Sequence, residues 1–545
     1  MLCIITAVVV IAAGIIAFFI DGSKAVTPLG KIWQSLMHAI DAGTIAGDEG
    51  NFLFMLLMSL VTICGIFITS MLIGIINTGL ESKMASLRKG NSKVLESGHT
   101  VIIGYNDNVF PMLSELIIAN ENAKNPVVVI LGEEKKEIME DAIKDFLPDT
   151  KNTRIICRSG ETSNAMSMER CSIERSASII INEHDDFATI KSILSVTNLL
   201  KSEQAMDCKA HITATIRNKK NLDVAAIAGE GRAEILYFND SLSRIIAHTC
   251  RQPGLSEVFL ELFDFDGDEI YCEQIDGVYG KSFSELITSF DKSSIIGLIK
   301  DGEVKLNPNN DTIYEKGDSI ILIASDDNVS FPVKDVAEIQ KELIMHKELK
   351  KSADKDKILV IGYNELLEGM LLELDNYVVK GSEVSLLTTQ DTNKKELIDL
   401  QAKLEKIDLS IFKDDIFELD ILTKYATDGF KNIILLSDTS CSKNEADSKT
   451  LLLLLYLREI SQKCNCYFSI TSEMLQIRHQ ELAKATRVND FVISSNITGL
   501  ITTQISQNRS LHAIFDDLLD EDGSEIYMKP AGNYVKTDEP VNLFT

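Results

Sequence analysis

Two aspartates, Asp41 and Asp48, bracket a run of small residues that includes Ala42, Gly43 and Thr44. Repeated around a symmetry axis, such carboxylates would form rings, and carboxylate rings select cations. The same residues could instead form a solvated extracellular hairpin loop. A second acidic group, Glu183, Asp185 and Asp186, follows an apolar run, and Asp438, Glu445 and Asp447 take a similar place later. Grouped hard oxygen ligands suit Ca²⁺ or Mg²⁺. Acids at such positions also cap helices. Gly104 ends one apolar run, and Glu133 follows another. In a dinucleotide-binding sheet these places hold the phosphate turn and a ribose-binding acid. There is no G-x-G-x-x-G, so Gly104 reads equally well as a tight strand–helix turn, and a nucleotide is not expected. Asp264, Asp266 and Asp268 have the opening spacing of a Ca²⁺ loop. Position 275 is Ile where that loop needs Glu, so the stretch is expected to be a polar turn.

Other chemistries find less support. Histidine is scarce, at eight, and no nucleophile-elbow or zincin motif occurs, so no enzyme is expected. The ten cysteines show no zinc-type spacing and suit free thiols in a reducing compartment. A net charge of −27 argues against nucleic acid as a partner.

The elements that must position these residues start with two uncharged runs, 1–20 and 52–80. At ~1.5 Å rise, twenty helical residues span ~30 Å, the thickness of a bilayer core. The first run could also be a signal peptide, but it lacks a basic start and an evident cleavage site. Lys83, Arg88, Lys89 and Lys93 follow the second run, while Asp21, Asp41, Asp48 and Glu49 outnumber Lys24 and Lys31 between the runs. The positive-inside rule therefore puts everything after residue 80 in the cytosol. Residues 28–40, PLGKIWQSLMHAI, read as a short helix with Pro at its start. Span, short helix, Gly-containing loop and span are the layout of a re-entrant pore, with filter residues within 28–49. A TVGYG filter is missing, so strict K⁺ selectivity does not follow. Gly65, Gly74 and Gly79 in the second run serve either bending or close packing.

The rest is a duplication. TVIIGYND at 100–107 matches ILVIGYNE at 358–365, and DGDEIY at 266–271 matches DGSEIY at 522–527. The offset stays at 256 to 258 residues. Strands are expected at 100–103, 127–131, 154–157, 178–181, 211–216 and 234–238, and again at 357–361, 383–387, 409–412, 432–436, 467–471 and 490–493. Continuous apolar strands alternating with helices predict parallel, doubly wound sheets. Helix–turn–helix crossovers are expected at 241–262 and 497–519. A small β-rich subdomain follows the first at 269–330. A charged linker covers 341–357, and the second copy, 358–545, breaks off early, as a C-terminally truncated product would.

Taken together, the chain resembles the CASTOR/POLLUX ion channels with tandem RCK (regulator of K⁺ conductance) domains, in a microbial form. The resemblance rests on Asp41-Ala42-Gly43, Ser86-Leu87-Arg88-Lys89-Gly90, Val101-Ile102-Ile103-Gly104, Ile156-Cys157-Arg158-Ser159-Gly160 and Gln252-Pro253-Gly254-Leu255. It implies a two-span membrane pore domain with a re-entrant pore helix, a gating linker at 81–99, and two tandem α/β Rossmann-like RCK domains at 100–340 and 358–545. It further implies a homotetramer in a lipid bilayer whose eight RCK units form a gating ring, with the crossovers as interfaces. Ca²⁺ would be the regulator, and K⁺ or Ca²⁺ the permeant ion. Plant members act at the nuclear envelope, and a microbial one would sit in the cytoplasmic membrane. After Gly43, Thr44-Ile45-Ala46-Gly47 departs from the plant pattern, which leaves selectivity open. A rival reading is a membrane-anchored nucleotide- or ion-sensing regulator of a separate transporter.

Overall fold

The computed structural model describes residues 2–21, 27–47, 49–88, 90, 92–202, 208–326, 332, 339–345, 354–390, 394–486, 490–520, 523–542 and 545. The chain divides into two compact units, Met1–Ser92 and Lys93–Thr545.

The first unit is helical. It contains α1 (Leu2–Asp21), α2 (Pro28–Ile40), a 3₁₀ turn (Ala42–Gly47) and α3 (Phe52–Arg88). Thr27 caps α2 by accepting the Gly30 N–H at 3.3 Å, and Pro28 opens the helix where no donor is needed. Glycines let α2 pack tightly. A Cβ on Gly14 would lie 2.5 Å from the Ile32 Cα, and one on Gly65 would lie 2.2 Å from the Ala39 carbonyl oxygen. Gly65 thus serves close packing, whereas a Cβ on Gly74 or Gly79 would meet nothing within 4 Å. Of α3, Phe52–Glu81 is long and apolar enough to cross a membrane. The apolar part of α1, Ile4–Ile20, is shorter, so one helix among the described residues meets that test rather than the two expected.

The second unit holds two parallel sheets. The first copy runs β1 (Thr100–Ile103), α4 (Val109–Ala119), β2 (Val127–Gly132), α5 (Lys136–Phe146), β3 (Arg154–Ser159), α6 (Ala165–Arg170), β4 (Ser178–Ile181), α7 (Asp186–Leu200), β5 (His211–Ile216), α8 (Leu222–Gly229) and β6 (Ala233–Tyr237). The crossover helices α9 (Phe238–Arg251) and α10 (Leu255–Phe263) follow. A small antiparallel sheet comes next, with β7 (Glu269–Glu273), α11 (Phe283–Ile287), β8 (Ser293–Lys300), β9 (Glu303–Leu306) and β10 (Ser319–Ala324). The second copy runs β11 (Lys357–Ile361), α12 (Leu367–Tyr377), β12 (Ser382–Thr388), α13 (Lys394–Lys403), β13 (Ile407–Lys413), α14 (Leu419–Ala426), β14 (Asn432–Leu435), α15 (Lys443–Cys464), β15 (Ser469–Met474), α16 (Gln480–Ala485) and β16 (Asp490–Ile493). Its crossover pair is α17 (Ser494–Gln507) and α18 (Ser510–Leu519).

The two sheets share one strand order, β3-β2-β1-β4-β5-β6 and β13-β12-β11-β14-β15-β16. The order reverses beside β1 and β11, which places a crevice at the carboxyl ends of those strands. Strands β1 and β4 are buried at every residue, as strands covered by helices on both faces must be. The first crossover helix starts at Phe238, three residues before the expected 241, because Phe238 turns into the core as the opening residue of a helix. Tyr467, expected to open a strand, is 86% exposed and precedes β15. Of the expected linker, Ile344 bridges Val535 and Met345 donates to the Tyr534 carbonyl, while 346–353 lie outside the described residues.

The crossovers are exchanged between the copies. Helix α9 packs on α12 of the second copy, and α17 packs on α4 of the first. The contacts match in pairs. A Cβ on Gly369 would meet the Ser243 Oγ at 2.9 Å, and a Cβ on Gly499 would meet the Pro111 side chain at 2.8 Å. Ser243 and Gly499 are equivalent by the repeat, as are Pro111 and Gly369. One hydrophobic core runs from Leu236 through Phe263 to Phe515 and Leu519 and joins both copies. Gly369→Leu or Gly499→Leu is expected to destabilise the protein by about 1–3 kcal/mol through overpacking. A lowered midpoint in a thermal-unfolding scan checks this, and an unchanged midpoint for both contradicts the close packing.

Candidate functional site

The loop after α2 is held by short-range bonds. Asp41 Oδ1 accepts the Gly43 N–H at 2.8 Å, and the Thr44 hydroxyl donates to the Asp41 carbonyl at 2.7 Å. His38, 2% exposed, lies 3.1 Å from the Thr44 Oγ1 through its Nδ1 and 3.3 Å from the Thr62 Oγ1. The imidazole therefore ties the loop to α3. Nothing in the sequence reading singled out His38; its spacing of six from Thr44 was the available signal. Asp41 itself is exposed. Of Ala42, only the backbone is described, and Asp48 lies outside the described residues.

In the second unit, Gly104 has a φ of +100°, and a Cβ there would lie 2.1 Å from the Asn182 carbonyl oxygen. Only glycine fits both demands. Gly362 repeats this in the second copy, with a φ of +99° and the Leu436 carbonyl oxygen at 2.3 Å from its would-be Cβ. Glu133 is exposed after β2.

The acidic positions part by role. Asp185 caps α7, accepting the Ala188 N–H at 3.0 Å. Glu183 is buried and accepts the Ser192 hydroxyl at 2.6 Å. Asp186 accepts the backbone N–H groups of Arg217 and Asn218 at 2.9 and 3.0 Å and the Asn221 amide at 2.7 Å. Asp447, fully buried, does the same, with Leu475 N–H at 2.8 Å, Gln476 N–H at 3.2 Å and His479 Nδ1 at 2.7 Å. These two aspartates pin equivalent loops, those after β5 and β15. Asp438 receives Lys449 at 2.9 Å, Gln390 at 2.8 Å and Ser440; burial pushes its carboxyl up, and Ser440 and Lys449 outweigh this and hold it below the usual range. Among the described residues, no three His, Cys, Asp or Glu side chains converge as a metal centre would require.

Two buried glutamates escaped the sequence reading. Glu473 accepts from Asn364 Nδ2 (2.7 Å), Ser437 N–H (2.9 Å) and Ser494 Oγ (3.0 Å), and burial pushes its pKa up to about 7. Glu115, on α4, accepts the Phe265 N–H at 2.8 Å. Burial, with Asp264, Asp266 and Glu269 nearby, pushes it up to about 8. The signal for Glu115 was its counterpart Glu373, also buried at the matching repeat position.

The doubled Rossmann-like fold is shared with the human SLO3 gating ring. That structure aligns with a TM-score of 0.50 at 15% identity, covering 77% of this chain and 84% of its own. Along nearly its whole length, the chain is similar to the CASTOR and POLLUX ion channels. It is 25% identical to the probable ion channel CASTOR of Oryza sativa subsp. japonica over 95% of this chain and 62% of that protein. Ion channel CASTOR of Lotus japonicus is also 25% identical, over 94% of this chain and 64% of that protein. The chain thus spans just under two thirds of the length of these relatives. A family profile described as "Castor and Pollux, part of voltage-gated ion channel" matches residues 239–340, the first crossover and the small sheet. The relatives are named ion channels, a family without enzymes.

Glu115 makes stability pH-dependent. Its folded pKa lies above its unfolded value, so the folded state holds an extra proton between about pH 4.5 and 8, and stability falls as pH rises across that window. Glu115→Gln keeps an oxygen acceptor for Phe265 and removes the titration. The variant is expected to lose less stability than the parent between pH 5 and pH 8.5 in chemical denaturation. Parallel losses in both proteins would refute the assignment.

Proposed function

We propose that this chain is the subunit of a ligand-gated cation channel in which two spans, a re-entrant helix and an acidic loop form the pore, and the paired RCK-like domains sense a cytosolic ligand. The observation that carries it is the arrangement of α1, α2 and α3. A short capped helix is packed by glycine contacts beside two apolar helices and ends in a loop that presents Asp41. Large apolar side chains such as Phe19 and Phe67, 78% and 72% exposed, suit a lipid environment. In the proposal, Asp41, Ala42, Gly43, Thr44 and Asp48 line the filter of a tetramer that passes K⁺ or Ca²⁺. Residues 81–99 transmit movement of an eight-domain ring to α3, and the membrane is the cytoplasmic one.

Regulation by Ca²⁺ is part of the same proposal. Asp186 and Asp447 already hold three donors each, and Glu183 is buried against Ser192, so these three act as positioning groups for the loops around them. Asp185 remains the accessible carboxylate for a cation, and Asp438 would take one in exchange for Lys449. Gly104 and Glu133 keep the crevice of the first sheet as a weaker place for a small ligand.

The test is reconstitution of the full chain in planar bilayers with Ca²⁺ titrated on the cytosolic side. Conduction that changes with Ca²⁺, and a cation-to-anion permeability ratio that falls in Asp41→Asn, are the expected results. Protein that never conducts, or an Asp41→Asn channel with unchanged permeability ratios, contradicts the pore assignment.

Assembly makes its own demand. The crossovers are consumed within one chain, so ring contacts between chains need another surface. Helices α7 and α8 present Phe187, Leu194, Val224 and Ile227, with Phe187 78% and Ile227 75% exposed. A second copy of this chain is the proposed cover. Phe187→Asp with Ile227→Asp is expected to shift the detergent-solubilised protein to smaller assemblies in light scattering. An unchanged mass would move the interface elsewhere.

A further inference from the structure

The duplication creates two equivalent clefts between the copies, and they differ. In one, the loop after β15 faces the end of β1. It encloses about 330 Å³. Asp107 there is bonded by Gln476 Nε2 at 3.0 Å and by Lys443 Nζ at 3.1 Å. Phe110 and Phe146 pack beside it with ring centroids 4.9 Å apart. The charge of Asp107 is met from within the protein.

The other cleft lies where the loop after β5 faces the end of β11. It encloses about 920 Å³ and is lined on one wall by Arg217, Lys219 and Lys220, with Asp240 there paired to Arg244, and on the other by Tyr363, Glu365 and Glu396. No bond corresponding to Lys443–Asp107 closes it among the described residues. Glu365, the counterpart of Asp107, instead accepts the Thr439 hydroxyl at 3.0 Å. The side chains of Arg217, Lys219 and Lys220 are exposed and make no hydrogen bond or ion pair among the described residues. The backbone that carries them is fixed. Asp186 holds the N–H groups of Arg217 and Asn218, and Asn239 donates to the Arg217 carbonyl at 3.0 Å.

We propose that this open cleft binds a small phosphate ester that carries hydroxyl groups. Three cations within four residues match a dianionic phosphate, and a guanidinium can grip two of its oxygens at once. The facing carboxylates would repel a bare polyanion but accept hydrogen bonds from hydroxyls at the far end of the ligand. The volume suits a ligand of that size. A sugar phosphate and a nucleoside monophosphate share this chemistry, and they differ in whether a base can rest on Tyr363.

The experiment is calorimetric titration of the full-length protein in lipid nanodiscs with ribose 5-phosphate, adenosine monophosphate, inorganic phosphate and ribose. Saturable binding of at least one ester below about 1 mM is expected. Lys219→Gln with Lys220→Gln should weaken it about tenfold or more by removing two charge-assisted contacts. Glu396→Gln should weaken the esters and spare inorganic phosphate. Arg478→Gln, in the closed cleft, should change neither. Tighter binding of adenosine monophosphate than of ribose 5-phosphate assigns a role to the base, and equal binding assigns the sugar phosphate. No saturation by either ester at 10-fold higher concentration overturns the proposal, as does binding that survives the double lysine substitution. Binding is read without conduction, so its failure is distinct from failure of the pore assignment.

Discussion

The exchange of crossover helices is the constraint on which the cytosolic unit depends. Each sheet leaves one apolar face that its own crossover does not cover. Helix α17 covers the face beside α4, and α9 covers the face beside α12. Polar contacts follow the same exchange. Asp490, 2% exposed, accepts the Gly254 N–H at 3.0 and 2.9 Å on its two oxygens and the Ser256 hydroxyl at 2.6 Å. Arg244 donates to Asp520 at 2.9 Å, and Glu234 receives Arg509 and His512. Bonds from His512 and Arg509 hold the Glu234 carboxyl down at about 2, so that carboxylate stays ionised throughout the physiological range. A core shared in this way makes the copies one body to unfold.

Equivalence of fold has not kept the two copies equivalent in chemistry. Asparagines of the repeated Gly-Tyr-Asn motif lie at matching places, yet Asn106 donates to the Asn182 and Glu183 carbonyls whereas Asn364 donates to the carboxylate of Glu473. A buried acid thus meets this asparagine in the second copy, where backbone carbonyls meet it in the first. Divergence of this kind lets one copy become a rigid support while its partner keeps an accessible surface.

Much of the scaffold could be read from residue order. Runs such as 101–103 and 179–181 are apolar and buried at every residue, as strands covered on both faces are. Phe238 and Tyr467 were misread at strand ends because aromatic residues favour strands in isolation, and here a helix start and an exposed loop claim them. The acids were harder. Asp186 finds its donors at 217, 218 and 221, and Asp447 finds its own at 475, 476 and 479. No local pattern shows that a carboxylate will pin a loop thirty residues on, so these side chains passed for metal ligands. The repeat could have exposed them, since both triads sit at nearly constant offset.

A ligand moves a conformational equilibrium only by the difference in its affinity for the two states. A cation at Asp185 touches one sheet of one copy, and its surroundings change little if the copies tilt as bodies. A ligand that spans Arg217 on one copy and Glu396 on the other meets a different distance in each state. The open cleft is therefore the better lever, and the closed cleft, bridged by Lys443 and Asp107, is its fulcrum. The loop that carries the cations is pinned by Asp186, so displacement there is passed to the sheet instead of being absorbed by the loop. Coupling of this kind needs a stiff reader, a shared core and a deformable gap, and the duplicated fold supplies all three where its two clefts diverged in charge and volume.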